Sequence, residues 1–493
     1  MEELEHVLKE YNNILSSNGS RPFKKRKTGL DRVDLAKQIQ HLFHFLDSSD
    51  EYVCLICLNS LSSLFENCPQ QIHDTLLDAC PLDSFVKKMY TFGSHSLKFS
   101  LCNCIVSYFR CLVENDSNSL PLLDTVLKFL STEKSSTGLS ETYLLNMLSS
   151  CCKVVSSSDE ADEFCHWITK NIVQLDDIFW NEKRENVLFS YYSFLGRIVK
   201  LILNDDDFNK NDLKEICYDP IRRMSDRVYN DFKINDKNGY IINKYLSISL
   251  NILKSNKGGI SFLKLFLNVS CSLIAQYKEC TFDLSAPTSL VDNDVKLQVR
   301  VVIIVVAYCI FESSKIGSVE GLDALYKQLT SIVHMFDVRL IHTKIFALFI
   351  LDDKHMLDLL QMSQNLYKVF TTYDSILNSN YISIDLIKQI LDPHVMFEKF
   401  CCCISYDKQV FVDYLISKET ATTLLVYMLD YFKFVCSHTN QFQCSLSKSE
   451  QENVSTLMSN VMCQVQKLKH VFPYNIDPLI NRYNFTKQFF NKA

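Results

Sequence analysis

Residues 32–46, RVDLAKQIQHLFHFL, and 51–68, EYVCLICLNSLSSLFENC, set the pattern that decides the fold. In the first, Val33, Leu35, Ile39, Leu42, Phe43 and Leu46 recur along one broad face of a helix. In the second, Leu55, Leu58, Leu61 and Leu64 do the same. A short polar stretch joins the two. The alternation continues outward through SFVKKMY, SLKFSLCNCIVSYFRCLV and LPLLDTVLKFLS, between residues 84 and 131. Most such segments run roughly 12–20 residues, a usual helix length. Residues 1–16 carry Leu4, Val7, Leu8, Tyr11 and Leu15 at the same spacing.

Glycine and proline scarcity extends this reading to the whole chain. The 493 residues include 10 Gly and 9 Pro, each about 2%, against averages of about 7% and 5%. A β-rich or α/β chain needs many glycine-bearing turns and phosphate loops, which this composition does not supply. The fold class predicted is all-α: an irregular armadillo/HEAT-like helical solenoid or an extended multi-helix bundle. The segments repeat in kind but share no consensus. A helix pair of about 40 residues would allow about ten units.

Four regions are predicted: 1–30, an N-terminal helix and basic loop; 31–203, an N-terminal helical region; 204–294, a central helical region with polar loops; and 295–493, a C-terminal helical region. Polar stretches at 204–239, 277–294 and 437–453 read as loops, the first enclosing one helix and the last flexible. Hydrophobic residues make up 47% and the net charge is −6, which excludes wholesale disorder and argues against nucleic-acid binding. The N-terminus lacks a signal-peptide core. The longest apolar run, VVIIVVAYCIF at 301–311, is too short to span a bilayer. An intracellular chain without disulfides is expected, its 20 cysteines serving as small buried hydrophobes.

The chemical motifs fail on their own geometry. Cys54 and Cys57 form a CxxC without the second pair that zinc requires. Cys102, Cys104 and Cys111 do not share one helix face. Cys165 and His166 are chain neighbours, whereas a catalytic Cys–His pair is built by the fold. Asp205, Asp207 and Asn209 begin a calcium-loop pattern, but Lys210 replaces its glycine and Ile216 its bidentate glutamate. No GxxxxGK[ST], GxGxxG, HExxH or GxSxG occurs. No catalytic, cofactor-binding or metal residue is predicted, and no cofactor. The cluster Lys24, Lys25, Arg26 and Lys27, between Pro22 and Gly29, matches a nuclear-import signal.

The stretch 392–434, DPHVMFEKFCCCISYDKQVFVDYLISKETATTLLVYMLDYFKF, reads as three short helices. Asp392 is placed to cap the first with Pro393 at N1, Asp407 the second, and Ser417 the third. Three consecutive cysteines on a helix point in different directions and cannot converge on one ion. This stretch resembles the C-terminal signature of the Lines family. The residues carrying the resemblance are His394, Phe397, Phe400, Asp407, Asp413, Leu415, Ile416, Ser417, Glu419 and Thr420. LDDKHMLDLLQMSQNLYKVF, 351–370, is similar to an acidic pair and leucine helix of the same family. The resemblance covers about residues 340–436.

The resemblance implies a non-enzymatic regulator of cell-fate patterning and Wnt/Wingless-dependent transcription, present in nucleus and cytoplasm. It implies regulatory proteins as partners, among them zinc-finger transcription regulators of the odd-skipped type, and an import receptor for Lys24–Lys27. Neither nucleic acid nor membrane is an expected direct partner. The alternative on the sequence is a cytoplasmic HEAT/armadillo-type scaffold for trafficking or complex assembly.

Overall fold

The structure is a computed structural model that describes residues 40–66, 82–114, 119–156, 161–204, 210–231, 239–255, 259–278, 346, 352–372, 388–389 and 392–490. Every described element is helical, and no strand occurs among the described residues. The all-α expectation therefore holds. The chain divides into two compact units, Met1–Arg223 and Met224–Ala493.

In the first unit the helices are α1 (Glu51–Glu66), α2 (Leu82–Thr91), α3 (His95–Glu114), α4 (Leu120–Thr132), α5 (Leu139–Val155), α6 (Ala161–Trp180) and α7 (Glu185–Asn204). Helix α8 (Lys210–Asn230) contains the boundary between the units. α1 packs on α3, α3 on α5 and α5 on α7, forming one layer. α2 packs on α4 and α4 on α6, forming a second. Alternate helices thus stack within a layer, the arrangement of a helical repeat.

Side-chain rungs mark the repeat length. Lys88 donates to Asp47, Lys128 Nζ to Asp83 Oδ2 at 3.4 Å, Trp167 Nε1 to Asp124 Oδ1 at 2.7 Å, and Arg223 Nη1 to Asp177 Oδ1 at 2.6 Å. The partners lie 41, 45, 43 and 46 residues apart, within the roughly 40–47 residues of armadillo and HEAT units. Each of these pairs has an exposed carboxylate, and such pairs contribute about 0–1 kcal/mol each. The apolar rows between the layers weigh more. Leu101, Ile105, Leu144, Leu148, Phe194 and Leu195 are all fully buried, and each such side chain contributes about 1.5–3 kcal/mol. Apolar packing holds the stack, and the polar rungs set its register.

α3 and α7 are long and apolar enough to cross a membrane by length and composition, yet each is two-thirds buried inside its layer. They are core helices of the stack. The apolar run 301–311 lies outside the described residues.

One glycine governs how α5 meets α7. Gly138 precedes α5 with φ +71°, and a Cβ there would collide with Val187 Cγ2 and lie 3.1 Å from Arg184 Cδ. Arg184 is in turn fixed by Glu141 and Glu182 and by the Ser135 carbonyl, so it has little room to yield. Gly138→Ala is expected to destabilise the unit by about 2 kcal/mol or more, read as a lowered urea midpoint.

The second unit contains α9 (Gly239–Lys254), α10 (Gly259–Lys278), α11 (Asp353–Thr372), α12 (Pro393–Cys403), α13 (Lys408–Ile416), α14 (Ala421–Ser437), α15 (Thr439–Ser445), α16 (Lys448–Lys467) and α17 (Asp477–Phe490). α14 is central, packing against α11, α13, α15 and α17. The buried carboxylate of Asp358 on α11 is paired with Lys254 of α9.

The stretch 437–453 corrects the flexible-loop expectation, since most of it forms α15 and the start of α16. Gln441 Nε2 and Ser445 Oγ donate to the buried Asp392 Oδ2 at 2.9 and 2.6 Å. Phe442 is fully buried. Ser447 and Glu450 form a reciprocal capping box that opens α16. Polar composition hid these anchors because they act on residues distant in sequence.

Candidate functional site

Among the described residues of the second unit, a cluster of polar and aromatic groups surrounds His394. Asp392 caps α12 by accepting from His394 N at 2.8 Å, and Pro393 holds N1. The helix register then turns the His394 ring into the core, where it is fully buried. Its Nδ1 lies 3.2 Å from the Tyr431 hydroxyl. The rings of Phe434, Phe442 and Tyr431 surround it at centroid distances of 5.1, 5.2 and 5.7 Å. Burial holds its pKa down at about 4, against a partial opposing pull from the Asp392 carboxylate. The imidazole is therefore neutral near pH 7.

This constellation has the residue types of a catalytic site without its geometry. The Asp392 oxygens are engaged by the His394 backbone, Gln441 and Ser445. A general base must reach a substrate proton, and no exposed face of His394 exists. Cys401 is fully buried, and desolvation raises its thiol well above the ordinary range. Among the described residues, no group of three or more His, Cys, Asp and Glu side chains could hold a metal.

Of the remaining residues of the block, the aromatic ones pack in the core. Phe397 lies 4.3 Å from Tyr431, 6.0 Å from Tyr427 and 6.5 Å from Phe411. Phe400 packs on Phe411 and Tyr414 at 5.9 and 6.0 Å. Asp407 caps α13 by accepting from Gln409 N at 2.7 Å. Asp413 is exposed and accepts from Gln409 Nε2 at 3.1 Å. Leu415 is buried and Ile416 half-buried, while Ser417 and Glu419 are exposed.

Ser417 corrects an expected cap. It ends α13, and the N-cap of α14 is Thr420. Ser417 Oγ instead accepts from Glu419 N at 3.4 Å, within the turn, and the buried Thr420 hydroxyl donates back to Tyr414 O at 2.7 Å. The three-residue turn displaces the helix start beyond the first hydroxyl available to cap it. Sequence also gave no sign of the Ser405–Tyr406 bend. There both residues have positive φ, +54° and +52°, and Ser405 N and Tyr406 N bond back to Cys402 O and Cys401 O at 2.8 Å. This is the Schellman pattern without its usual glycine.

The cysteines follow the helix geometry. Cys401 is buried, Cys403 half-buried and Cys402 exposed. Cys54, Cys57, Cys102, Cys104 and Cys111 are buried, and desolvation raises Cys57 and Cys102 to about 12. Cys165 is buried whereas His166 is exposed, so the two diverge. Brief iodoacetamide treatment of the native chain is expected to alkylate Cys402 and spare Cys401, read by fragment-ion mass spectrometry. Equal labelling of the pair contradicts the helix.

The acidic pair of the 351–370 segment is also structural. Asp352 Oδ1 accepts from His355 N at 3.0 Å at the start of α11, and Tyr414 Oη donates to Asp353 Oδ1 at 2.6 Å. This second bond joins the two Lines-like segments. Lys24, Lys25, Arg26 and Lys27 lie outside the described residues.

Residues 265–445 match the Lines N-terminus family model. The matched stretch contains every residue on which the resemblance was read, and it corrects the expectation that they belong to the family's C-terminal signature, since the matching model is of the family's N-terminus. Among the described residues of this segment, His394 and Phe397 are both fully buried. No curated protein matches the chain. Several solved structures are similar. One is a circular tandem repeat protein with novel repeat topology and enhanced subunit contact surfaces, at 9% identity and TM-score 0.36, covering 94% of this chain and 96% of that one. Another comes from work on a conserved phosphorylation switch between cadherin and beta-catenin, at 8% identity and TM-score 0.24, covering 99% and 96%. A third is from the Pds5–Scc1 complex, at 12% identity and TM-score 0.21, covering 96% and 84%.

Proposed function

We propose that this chain is a non-enzymatic regulatory adaptor that binds protein partners and modulates transcriptional output in cell-fate patterning and Wnt/Wingless-type signalling. The observation that carries this reading is the Lines N-terminus match over residues 265–445. The repeat stack of the first unit supports it physically, because stacked helix pairs present an extended surface suited to proteins rather than to a small substrate. Zinc-finger transcription regulators are the proposed partners. Lys24, Lys25, Arg26 and Lys27 are the proposed contact for an import receptor, giving a chain shared between nucleus and cytoplasm.

Proximity labelling in cells, with the wild type and with Lys24, Lys25, Arg26 and Lys27 all changed to Ala, tests the proposal. The wild type is expected to label nuclear regulatory proteins, and the variant to lose them while retaining cytoplasmic neighbours. A wild type that labels no nuclear protein, or a variant with unchanged distribution, overturns the nuclear role.

A further inference from the structure

The solvent face of the α1–α3–α5–α7 layer carries side chains in register. Tyr52, Phe99 and Phe189 are 65%, 57% and 39% exposed, and Tyr143 is half-exposed. Each belongs to a different helix of the layer, near its N-terminal end. Most large aromatic side chains of the described residues are buried, so a row of partly exposed rings offers apolar surface to a ligand; in this row the Tyr143 hydroxyl also donates to His95 O at 3.3 Å.

One turn or two further along, exposed asparagines follow. Asn59, Asn103 and Asn146 occupy α1, α3 and α5, at sequence intervals that match the rungs of the other layer. A third row is basic. Arg110 and Lys153 are exposed and Arg197 half-exposed, on α3, α5 and α7. These three make no ion pair among the described residues. On this face Glu51 and Glu66 already accept from Ser94 and Ser107, and Glu114 stands one turn beyond Arg110.

From this register we infer that the face binds an extended, carboxylate-rich peptide segment of a partner protein, laid across α1, α3, α5 and α7. The inference rests on the adaptor reading above and names its surface and partner chemistry. An amide side chain offers a donor pair and an acceptor. Amides repeated once per helix on α1, α3 and α5 match the free N–H and C=O groups of an extended backbone, whereas a helical ligand has used its own. The aromatic row receives apolar side chains, and the basic row pairs with carboxylates, the arginines in bidentate fashion. Neighbouring helix axes lie about 8–10 Å apart and an extended chain rises about 3.3 Å per residue, so four helices take about nine residues.

The test is fluorescence polarisation with the full chain and a fluorescein-labelled peptide of about twelve residues that alternates Glu with Leu. Its counterpart, with Lys in place of Glu, is the control. The acidic peptide is expected to bind, to weaken as NaCl rises from about 50 to about 200 mM, and to lose about tenfold in affinity in either of two variants. One is Arg110→Glu with Lys153→Glu, the other Asn103→Ala with Asn146→Ala. All four positions are exposed, and an unchanged circular dichroism melt confirms folding. Equal binding of the Lys peptide, no binding of the Glu peptide, or unchanged affinity in both variants overturns the inference. So does a crosslink from the chain's own residues 1–39 to this face, which would make that segment the occupant. None of these outcomes touches the adaptor reading, which fails only if proximity labelling finds no regulatory partner.

Discussion

Phe397→Ala is expected to destabilise the second unit by about 3–5 kcal/mol. Phe397 is fully buried and stands where α12, α13 and α14 meet, in ring contact with Phe400, Phe411, Tyr427 and Tyr431. Removing the ring leaves a void that three helices and the fixed Tyr431–His394 contact cannot close. The loss therefore includes the cavity term as well as the transfer term. Phe397→Leu keeps most of the volume and is expected to cost less than half as much. Urea unfolding followed by circular dichroism measures both. A loss below about 1 kcal/mol for the alanine variant would mean that the Lines-like block is a surface, not a core.

The second large effect is a loss of stability in acid traceable to one residue. His394 titrates at about 4 in the folded chain and at about 6.5 when unfolded. Above pH 6.5 both states hold the neutral ring, and the group contributes no pH dependence. As the pH falls below 6.5 the unfolded state takes up the proton first, so stability declines until about pH 4. Across that window the loss approaches about 3 kcal/mol. Burial is the main cause. Asp392 opposes it, and His438 acts both ways, its charge lowering the value and its backbone hydrogen bond raising it. His394→Phe removes the proton site while keeping a ring among Tyr431, Phe434 and Phe442. The stability difference between wild type and variant should shift by about 3 kcal/mol in favour of the variant between pH 6.5 and 4. A difference constant with pH would place His394 in contact with water.

Much of this architecture was legible in the sequence. The helical spacing of Leu58, Leu61 and Leu64 and the shortage of glycine both point to packed helices, and those leucines are buried. Asp392, Pro393 and Asp407 act within their own turns, so local chemistry suffices to place them as caps. Ser417 misleads because three residues of turn intervene before α14. The segment 437–453 misleads for another reason. Gln441, Ser445 and Phe442 are ordered by contacts with Asp392, His394 and Phe490, which local polarity does not reveal. The Phe99, Tyr143 and Phe189 row was the hardest to see. Its spacing is present in the sequence, yet only the stacking of α3, α5 and α7 distinguishes exposed rings from the many buried ones.

Hydrogen exchange of the full chain, resolved by peptide mass spectrometry with and without the acidic Glu–Leu peptide, separates the core from the binding face most directly. In the free chain, residues 393–403 and 421–437 are predicted to be among the slowest to exchange in the second unit. With the peptide bound, added protection is predicted in α3, α5 and α7 and none in 393–437. Fast exchange across 393–437, or added protection confined to that block, would contradict both the structural role of the Lines-like residues and the assignment of binding to the repeat stack.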